Sequence, residues 1–379
     1  MSLRSLPDFP WDSLAPLTAR ASSHAGGLIN LSVGTPVDPT PRVVQQALRE
    51  HADAPGYPLT IGLPRLREAV VQWFLRRRGV PGLDQAGVIP TIGSKELVAW
   101  LPTFLGLGAG DLVAHPAIAY PTYDVGARLA GATPVPMTSL TGLGPLTSAT
   151  RPKLLWLNTP GNPDGTVLGI GHLQKVVAWA RQHGVIVASD ECYAELDWRA
   201  DRPDDDPPTT PSLLDPRVTG GDVSGLLTAY SLSKQSNLAG YRAGFLAGDP
   251  ALVAAIGEVR KHAGMMMPAP VQAAMIAALD DHEHVAAQVA TYRARRERLL
   301  PAAQAFGLRI DGSQAGLYLW ASADEDCWRT LERLADLGIL AAAGSFYGAA
   351  GARHVRIALT ATDAQIEAAA QRLAGSAHG

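Results

Sequence analysis

The chain has 379 residues, of which 47% are hydrophobic and 18% are charged, and its formal net charge is −3. A chain of this length is expected to divide into two or three units and to bury a large core unaided. The lack of a basic surplus argues against nucleic acid or an anionic membrane as a partner. The two distant cysteines, Cys192 and Cys327, and the lack of any apolar stretch near the ~20 residues that span a bilayer predict a soluble, cytoplasmic protein.

Seven short apolar segments alternate with helix-like patterns between residue 87 and residue 265. The predicted strands are 87–92, 111–116, 133–137, 153–158, 184–190, 225–231 and 243–248. Strands separated by helices at this spacing indicate βαβ units. We therefore expect an α/β fold whose large domain is built on a mostly parallel, seven-stranded sheet.

The two ends of the chain differ from this pattern. The first fifty residues are expected to be loop apart from a helix over 41–51, and a long arginine-rich helix is predicted from residue 281. Beyond it, three strand-like segments alternate with two helices, which indicates a smaller α+β unit. We expect 1–45 to contribute to this small domain, 46–280 to form the large domain, and 281–379 to form the small domain with its connecting helix.

Two acidic stretches lie outside the predicted sheet. The proline-rich stretch 201–212, DRPDDDPPTTPS, is expected to be a mobile surface loop, with a lid over a site as the alternative. The stretch 280–285, DDHEHV, is expected to be a solvated helix start, because acids are favourable there, and we expect no metal site.

A lysine stands at the end of a predicted buried strand. Lys234 follows the strand 225–231, lies beside hydroxyls at Ser231 and Ser233, and is followed eight residues later by Arg242. Burial and neighbouring cations lower the pKa of a lysine, and such an amine forms imines with carbonyl compounds. The alternative is an ordinary surface lysine near a strand end.

Polar side chains also end two other predicted strands. Asn162, in TPGNPDG, follows the strand 153–158, and Asp190 ends the strand 184–190 with Tyr193 three positions later. Ligands of α/β sheets bind at the carboxyl ends of the strands, where these side chains would meet. A simple turn at Asn162 and a helix cap at Asp190 are the structural alternatives.

The segment TIGSKEL changes from strand to helix at a glycine. Gly93, Ser94 and Lys95 would open the helix, and backbone N–H groups at a helix start bind anions such as phosphate. An ordinary capped helix is the alternative.

Together these residues supply the electrostatic complement of pyridoxal 5'-phosphate. Lys234 would take its aldehyde as an imine, and Asp190 would keep its pyridine nitrogen protonated, which makes the ring an electron sink. Asn162 and Tyr193 would donate hydrogen bonds to its phenolate oxygen. The phosphate would be held by the remaining donors, namely Arg242, Ser231, Ser233 and the helix start at Gly93, Ser94 and Lys95.

The same residues, in this order and spacing, resemble the class I/II aminotransferases of the fold-type I pyridoxal-phosphate enzymes over about residues 28–372. The resembling motifs are YPLTIGLPRLRE, GSKE, YPTY, GNPDG, DECY and SLSKQSNLAGYRAG. The resemblance implies ping-pong transfer of an amino group through the Lys234 imine, with Tyr193 and Asp190 assisting. It implies that Tyr120 stacks on the cofactor ring and that Tyr57 reaches the phosphate of a neighbouring subunit, so that a homodimer is the working unit. Asp164 stands where the family commonly has threonine. This difference affects the expected conformation of the local loop and not the cofactor site.

The substrate side of the site is also implied by the resemblance. Arg356, in HVRIALT, would bind the α-carboxylate, and the backbone at Gly34, in SVGTP, would approach it together with Asn162. Further motifs, among them PDFPWDSLAP, KHAGMMMPAPVQAAM and ARHVRIALTATD, look like those of the bacterial succinyldiaminopimelate aminotransferases. That similarity implies exchange between N-succinyl-LL-2,6-diaminopimelate and 2-oxoglutarate. The cations available for the distal succinyl carboxylate are Arg4, Lys95, Arg260 and Lys261, and spacing singles out none of them.

Several alternatives stay open at this point. The same cofactor residues serve aminotransferases for acetylornithine, aspartate or aromatic amino acids, and they also serve carbon–sulfur lyases. A cofactor-binding regulatory module would need a DNA-binding segment for which the chain has no room. A dinucleotide enzyme is disfavoured, because the glycine run GLGAG at 106–110 follows a helix and precedes a strand, the wrong order for a phosphate loop.

Overall fold

The computed structural model describes residues 6–199 and 209–376. The strands are β1 Ile29–Asn30, β2 Val88–Ile92, β3 Leu112–Pro116, β4 Thr133–Met137, β5 Leu154–Asn158, β6 Ile186–Asp190, β7 Leu226–Ser231, β8 Ala243–Gly248, β9 Arg309–Asp311, β10 Tyr318–Ser322, β11 Ile339–Leu340, β12 Ala342–Ala343 and β13 Val355–Ala358. The helices are α1 Ala15–Ser22, α2 Arg42–Glu50, α3 Pro64–Arg78, α4 Gly93–Phe104, α5 Thr122–Ala130, α6 Ile170–His183, α7 Pro216–Thr219, α8 Pro250–His262, α9 Ala269–Asp280, α10 Glu283–Ala305, α11 Cys327–Asp336 and α12 Asp363–Gly375. Among these helices, none is long and apolar enough to cross a membrane.

A seven-stranded sheet with the order β2-β8-β7-β6-β5-β3-β4 forms the centre of the molecule. Its neighbouring strands run parallel except at β8, which is antiparallel to both β2 and β7. The α/β class and the mostly parallel, seven-stranded sheet are thus confirmed, with the predicted strand bounds correct to within two residues.

Helices cover both faces of this sheet, which explains why its inner strands, such as β7 and β8, are buried along their whole length. In β7, Leu226 and Tyr230 face one buried cluster, while Leu227 and Ala229 face the other. Strand β8 runs antiparallel to its neighbours, so its start lies at the edge where β2, β5, β6 and β7 end. Arg242, which directly precedes β8, therefore lies at this edge. That edge therefore gathers side chains from five strand ends.

The N-terminal segment packs on the C-terminal part of the chain. Strand β1 pairs in parallel with β11, and Leu14, Leu17 and Leu31 belong to the same buried cluster as α10, α11 and α12. Four further strands, β9, β10, β12 and β13, form an antiparallel sheet in this part. The expectation of loop before residue 41 was wrong, because α1 buries Leu17 and Ala21 against α11.

The prediction of a mobile surface loop over 201–212 is wrong for the part of this stretch that the structure describes. Residues 201–208 lie outside the described residues, but Thr209, Thr210 and Ser212 are fully buried rather than part of a surface loop. The reason is a buried arginine: the Arg78 guanidinium donates to Thr209 Oγ1 at 2.7 Å and to the Thr210 carbonyl at 2.6 Å.

Two arginines at the end of α3 hold the turn that follows β6. Arg78 pairs with Glu191 in full burial, and Arg77 pairs with Glu195 at 2.6 Å. Glu191 and Glu195 lie at the two ends of the turn that follows Asp190. Their ion pairs with α3 therefore fix the position of the carboxyl end of β6.

We predict that Arg78→Met lowers the free energy of unfolding by about 3–5 kcal/mol, because Glu191 would keep a buried charge without its partner. Urea unfolding followed by circular dichroism measures this loss. The control is Arg65→Met on the same helix, whose side chain is 51% exposed and pairs with Asp280, and which we expect to cost less than about 1 kcal/mol. Equal losses in the two variants would contradict the account.

Candidate active site

A cavity of about 440 Å³ lies at the carboxyl edge of the sheet, between the sheet, the N-terminal segment and strand β13. Its wall includes most residues singled out in the sequence, namely Gly34, Ser94, Lys95, Tyr120, Asn162, Asp190, Tyr193, Ser231, Ser233, Lys234, Arg242 and Arg356. Residues more than 300 positions apart therefore face one space.

Lys234 stands three residues beyond the end of β7 and points its amine into the cavity. Its Nζ donates to the carbonyl of Gly34. Burial lowers the pKa of Lys234, because the ammonium loses hydration, and the positive charges of Arg356 and Arg242 act in the same direction. Within the described residues no carboxylate pairs with it. An amine in this setting deprotonates more readily than a solvated lysine and can act as a nucleophile.

Asp190 ends β6 and presents its carboxylate to the same space. Its Oδ2 accepts the Tyr123 O–H at 2.9 Å, and its Oδ1 accepts the Cys192 N–H at 3.2 Å. Burial raises the pKa of Asp190, while these hydrogen bonds favour the charged form. No lysine, arginine or histidine of the described residues forms an ion pair with it. A buried carboxylate of this kind suits a cationic ring nitrogen.

Tyr193 and Asn162 meet on the other side of the cavity. The Asn162 Nδ2 lies 3.5 Å from the Tyr193 hydroxyl, which in turn lies 3.2 Å from the hydroxyl of Tyr318. Burial raises the pKa of Tyr193, so that its phenol stays protonated and can donate. These two residues thus form a donor pair for a phenolate oxygen.

Arg356 is a buried cation with only neutral partners. Its Nη1 donates to Asn162 Oδ1 at 3.0 Å and its Nη2 donates to the Ser32 carbonyl at 2.7 Å. Its guanidinium lies 3.9 Å from the centre of the Tyr318 ring, and its side chain is 2% exposed. Its Nε has no hydrogen-bond partner in the described part of the chain. A buried guanidinium without a carboxylate is suited to bind one from a substrate.

The start of α4 and Arg242 form a group of donors for an anion. Gly93 has a φ of 76°, and a Cβ there would lie 2.5 Å from Arg242 Nη2, so only glycine lets the guanidinium approach the helix start. The hydroxyls of Ser231 and Ser233 lie 2.7 Å apart beside them. Backbone N–H groups, hydroxyls and a guanidinium are the donors that phosphate takes.

Tyr120 lines the cavity, with the Lys95 amine 5.7 Å from its ring centre. Tyr57, in contrast, lies away from the cavity and is 96% exposed. Its assignment to a neighbouring subunit's site therefore stays a prediction.

Two cations considered for a distal carboxylate do not line the cavity. Arg260 is fully buried and pairs with Glu96 at 2.6 Å, and Lys261 is 64% exposed beside Glu258. Arg4 lies outside the described residues, so Lys95 is the cation of the four that the structure places in the cavity wall.

Sequence reasoning missed four side chains that complete the site. Tyr123 binds Asp190, and Tyr318 bridges Tyr193 and Arg356. Asn158 accepts the Asn162 N–H at 2.7 Å, and Trp11 donates to the Ser32 carbonyl at 3.3 Å. Tyr123 lies in the same YPTY motif as Tyr120 and Asn158 ends its strand as Asp190 does, so a pattern pointed to both. Trp11 lies in the motif PDFPWDSLAP, which was noted without a role for this side chain, and Tyr318 had no such pattern.

Comparison with known proteins defines the class. Residues 27–373 match the model of the family described as aminotransferase class I and II. A probable aminotransferase of Mycobacterium tuberculosis is 56% identical over 97% of this chain and 85% of its own length. The 4-dedimethylamino-4-oxo-anhydrotetracycline transaminase OxyQ of Streptomyces rimosus is 53% identical over 98% of this chain and its whole length. An LL-diaminopimelate aminotransferase of Gloeobacter violaceus is 34% identical over 98% of this chain and 96% of its length.

Solved structures agree with this family. An aminotransferase of Neisseria meningitidis superposes with a TM-score of 0.87 at 30% identity, covering 98% of both chains. A probable N-succinyldiaminopimelate aminotransferase of Thermus thermophilus has a TM-score of 0.84 at 29% identity, covering 97% of this chain and all of its own. The chain belongs to the class I and II aminotransferases, a family that depends on pyridoxal 5'-phosphate.

The donor set fits this cofactor. Lys234 offers the amine, Asp190 an anionic partner for a ring nitrogen, and Asn162 and Tyr193 donors for a phenolate. The phosphate donors are those at the start of α4 and at Arg242. Gly93 supports this assignment, because the lack of a side chain there lets the Arg242 guanidinium lie against the start of α4.

We predict that Lys234 forms the borohydride-reducible link to pyridoxal phosphate. Its lowered pKa leaves more free amine near neutral pH, so the reduced label should map to the peptide with Lys234. Mass spectrometry after borohydride treatment measures the label, and the visible absorbance of the holoenzyme should be lost in Lys234→Ala. Lys261→Ala, on the surface, serves as the control and should keep both. A label that persists in Lys234→Ala would contradict the assignment.

We predict that Tyr123→Phe moves the acid limb of the pH profile of kcat/KM to higher pH. The Tyr123 O–H stabilises the Asp190 carboxylate, so removing it raises the pKa of Asp190 further, and the charged form is then lost at a higher pH as the solution is acidified. Steady-state rates across pH measure the limb. Tyr292→Phe, which changes another buried tyrosine away from the cavity, should leave it in place.

Proposed function

We propose that this aminotransferase exchanges an amino group between N-succinyl-LL-2,6-diaminopimelate and 2-oxoglutarate. The observation that carries substrate binding is Arg356, a buried guanidinium with only neutral partners, in the wall of the cavity that also holds Lys234. Both compounds carry an α-carboxylate next to the reacting carbon, and Arg356 would bind it in two-point contact. The amine of Lys234 would then face the reacting carbon.

Each side chain has one task in this proposal. Bound pyridoxal phosphate supplies an electron sink for the substrate's α-carbon. Lys234, with its lowered pKa, would first anchor the cofactor and then, as a free amine, carry the proton to and from the α-carbon. Asp190 would keep the ring nitrogen charged, and Tyr193 with Asn162 would hold the ring oxygen. Tyr120 would cover one ring face.

Two lines support the diaminopimelate skeleton. Relatives named LL-diaminopimelate aminotransferase, at 30–34% identity, and the Thermus structure named for the succinylated compound align over nearly the whole chain. In addition, Lys95 offers its ammonium at the cavity wall, 5.5 Å from the Phe9 ring and away from any described carboxylate partner. We propose Lys95 as the cation nearest to the distal end of the substrate.

A second candidate is a transaminase for a bulky ketone. Its support is the 53% identity with the Streptomyces transaminase named for a tetracycline precursor, together with a larger, mostly apolar cavity beside the site. Other amino donors, such as acetylornithine, aspartate and aromatic amino acids, and carbon–sulfur lyase chemistry remain as alternatives within the same cofactor class.

We also propose that the working unit is a cytoplasmic homodimer with the domain division 1–45, 46–280 and 281–379. Tyr57, Leu59 and Ile61 form an exposed, largely apolar stretch that a second copy would cover, and this would bring Tyr57 towards the neighbouring phosphate.

We predict that, in an amino-transfer screen with 2-oxoglutarate as acceptor, N-succinyl-LL-2,6-diaminopimelate gives the highest kcat/KM. The comparison donors are acetylornithine, aspartate, an aromatic amino acid and LL-diaminopimelate, with glutamate formation as the readout. Arg356→Lys should lower kcat/KM for every donor, because a two-point contact is lost. An equal or better rate with an aromatic donor would overturn the substrate and leave the reaction class intact. Ammonia and pyruvate released from a sulfur amino acid without an acceptor would indicate a lyase.

A further inference from the structure

Tyr318 lies between Arg356 and Tyr193 in the wall of the active-site cavity, and the pairing of two strands places it there. In the antiparallel pair of β10 and β13, Arg356 lies opposite Trp320, two positions along the strand from Tyr318. Side chains two positions apart on a strand point to the same face of the sheet. The Tyr318 ring therefore covers the Arg356 guanidinium, which lies 3.9 Å from the ring centre. The Tyr318 hydroxyl extends past the arginine and lies 3.2 Å from the Tyr193 hydroxyl.

The position of the Tyr318 hydroxyl is fixed by its surroundings. The Tyr318 side chain is buried, and its ring meets the Tyr193 ring edge-on at an interplanar angle of 70°. The backbone of Gly34 runs directly beside the hydroxyl, and a Cβ at Gly34 would overlap it. Among the described hydrogen bonds, the partner of this hydroxyl is Tyr193. Tyr318 is therefore held where it can act on Tyr193.

The orientation of the Asn162 amide follows from its contact with Arg356. A guanidinium only donates, so Asn162 Oδ1, which lies 3.0 Å from Arg356 Nη1, is the acceptor, and Nδ2 faces Tyr193. An amide nitrogen also only donates, so the Tyr193 oxygen is the acceptor in its 3.5 Å contact with Asn162 Nδ2. Asn162 therefore occupies one of the two acceptor positions of the Tyr193 oxygen.

The direction of the hydrogen bond between the two tyrosines follows from the charges near them. Burial raises the pKa of Tyr193, and negative charge on Tyr318 would raise it further. Burial also acts to raise the pKa of Tyr318, but the positive charges of Arg356 and Lys234 hold it below its ordinary value. Tyr318 thus has the more acidic hydroxyl and is the better donor of the pair.

We propose that Tyr318 is a positioning residue, which donates to the Tyr193 oxygen and thereby directs the Tyr193 O–H to the phenolate oxygen of pyridoxal phosphate. A phenol has one proton and two acceptor positions, so Tyr193, with Asn162 and Tyr318 at its oxygen, offers its proton to a third group. Hydrogen bonds in such a chain strengthen one another. The inference rests on the proposed place of the phenolate beside Tyr193, and it does not depend on which amino acid is the substrate.

The test is a pH titration of the visible absorbance of the holoenzyme without substrate, which measures the midpoint at which the Lys234 imine loses its proton. A hydrogen bond to the phenolate lowers this midpoint, because the phenolate then stabilises the imine proton less. Tyr318→Phe removes only the hydroxyl and should shift the midpoint to higher pH, and Tyr193→Phe should shift it further. In a protein that already carries Tyr193→Phe, Tyr318→Phe should cause no additional shift, because Tyr318 acts through Tyr193.

Tyr292→Phe is the matched control. It removes a hydroxyl from the same buried cluster that contains Tyr193 and Tyr318, and this hydroxyl bonds to neither of them among the described contacts, so the midpoint should stay at the wild-type value. An unchanged midpoint in Tyr318→Phe, or the same shift with and without the Tyr193 hydroxyl, overturns the proposal. A shift to lower pH in Tyr318→Phe also overturns it, since Tyr193 would then be the donor to Tyr318.

The variant Tyr193→Phe separates this inference from the assignment on which it rests. An unchanged midpoint in Tyr193→Phe would overturn the proposed place of the phenolate and the inference with it. A raised midpoint in Tyr193→Phe with an unchanged one in Tyr318→Phe would overturn the inference and leave the role of Tyr193 intact.

Discussion

The site depends on the burial of two cations, Lys234 and Arg356, beside one cavity without a carboxylate partner for either among the described residues. Removing a charged group from water costs several kcal/mol in an ordinary fold. Here the N-terminal segment offsets part of that cost with carbonyls, because Ser32 accepts from Arg356 and Gly34 accepts from Lys234. Neutral oxygens are weaker partners than carboxylates, so the cations remain available to an anionic ligand.

The aromatic residues connect these two cations electrostatically. Burial alone would raise the pKa of Tyr318, but the charges of Arg356 and Lys234 lower it. The Tyr318 ring lies against the guanidinium, and its hydroxyl meets that of Tyr193. Gly34 is needed at this point, because a Cβ there would lie 2.0 Å from the Tyr318 hydroxyl. Tyr318 thus links Arg356, which we propose binds the substrate carboxylate, to the residues that would hold the cofactor.

Much of the fold was predictable because the central strands are buried on both faces. Continuous apolar runs such as that of β7 are recognisable without tertiary information. Helix α1 was not, because its helical state depends on packing against α11, which lies about 300 residues later in the chain. The burial of Thr209 and Thr210 was equally hidden, since it depends on Arg78 rather than on their own polar sequence.

In the site, too, features set by local sequence were predictable and features set by distant packing were not. Residues at strand ends, such as Asp190, Asn162 and Lys234, were predictable because parallel strands bring their carboxyl ends to one edge. The contacts of Tyr318 and Trp11 were not predictable, since both residues reach the cavity from elements far away in the sequence, and the motif around Trp11 does not indicate where it packs. Arg260 shows the opposite case: it was one of the cations available for a distal carboxylate, but it is buried and pairs with Glu96 in the first turn of α4.

The N-terminal segment contacts the two buried cations with one part and lines a neighbouring cavity with another. The carbonyls of Ser32 and Gly34 accept hydrogen bonds from Arg356 and Lys234. Residues 6–11 form a wall of the larger, mostly apolar cavity beside the active site. Strand β1, between these two parts, is held by β11, and the Ala358 N–H donates to the Leu31 carbonyl at 2.9 Å. Residues 32–34 are thereby tied to strand β13, which carries Arg356, whereas Leu6 and Phe9 are exposed. Trp11 also belongs with Arg356, because it donates to the Ser32 carbonyl that accepts from Arg356. Leu6 and Phe9, in contrast, form no hydrogen bond with Arg356 or Lys234 among the described contacts, so substitutions there change the cavity wall and leave the partners of both cations in place.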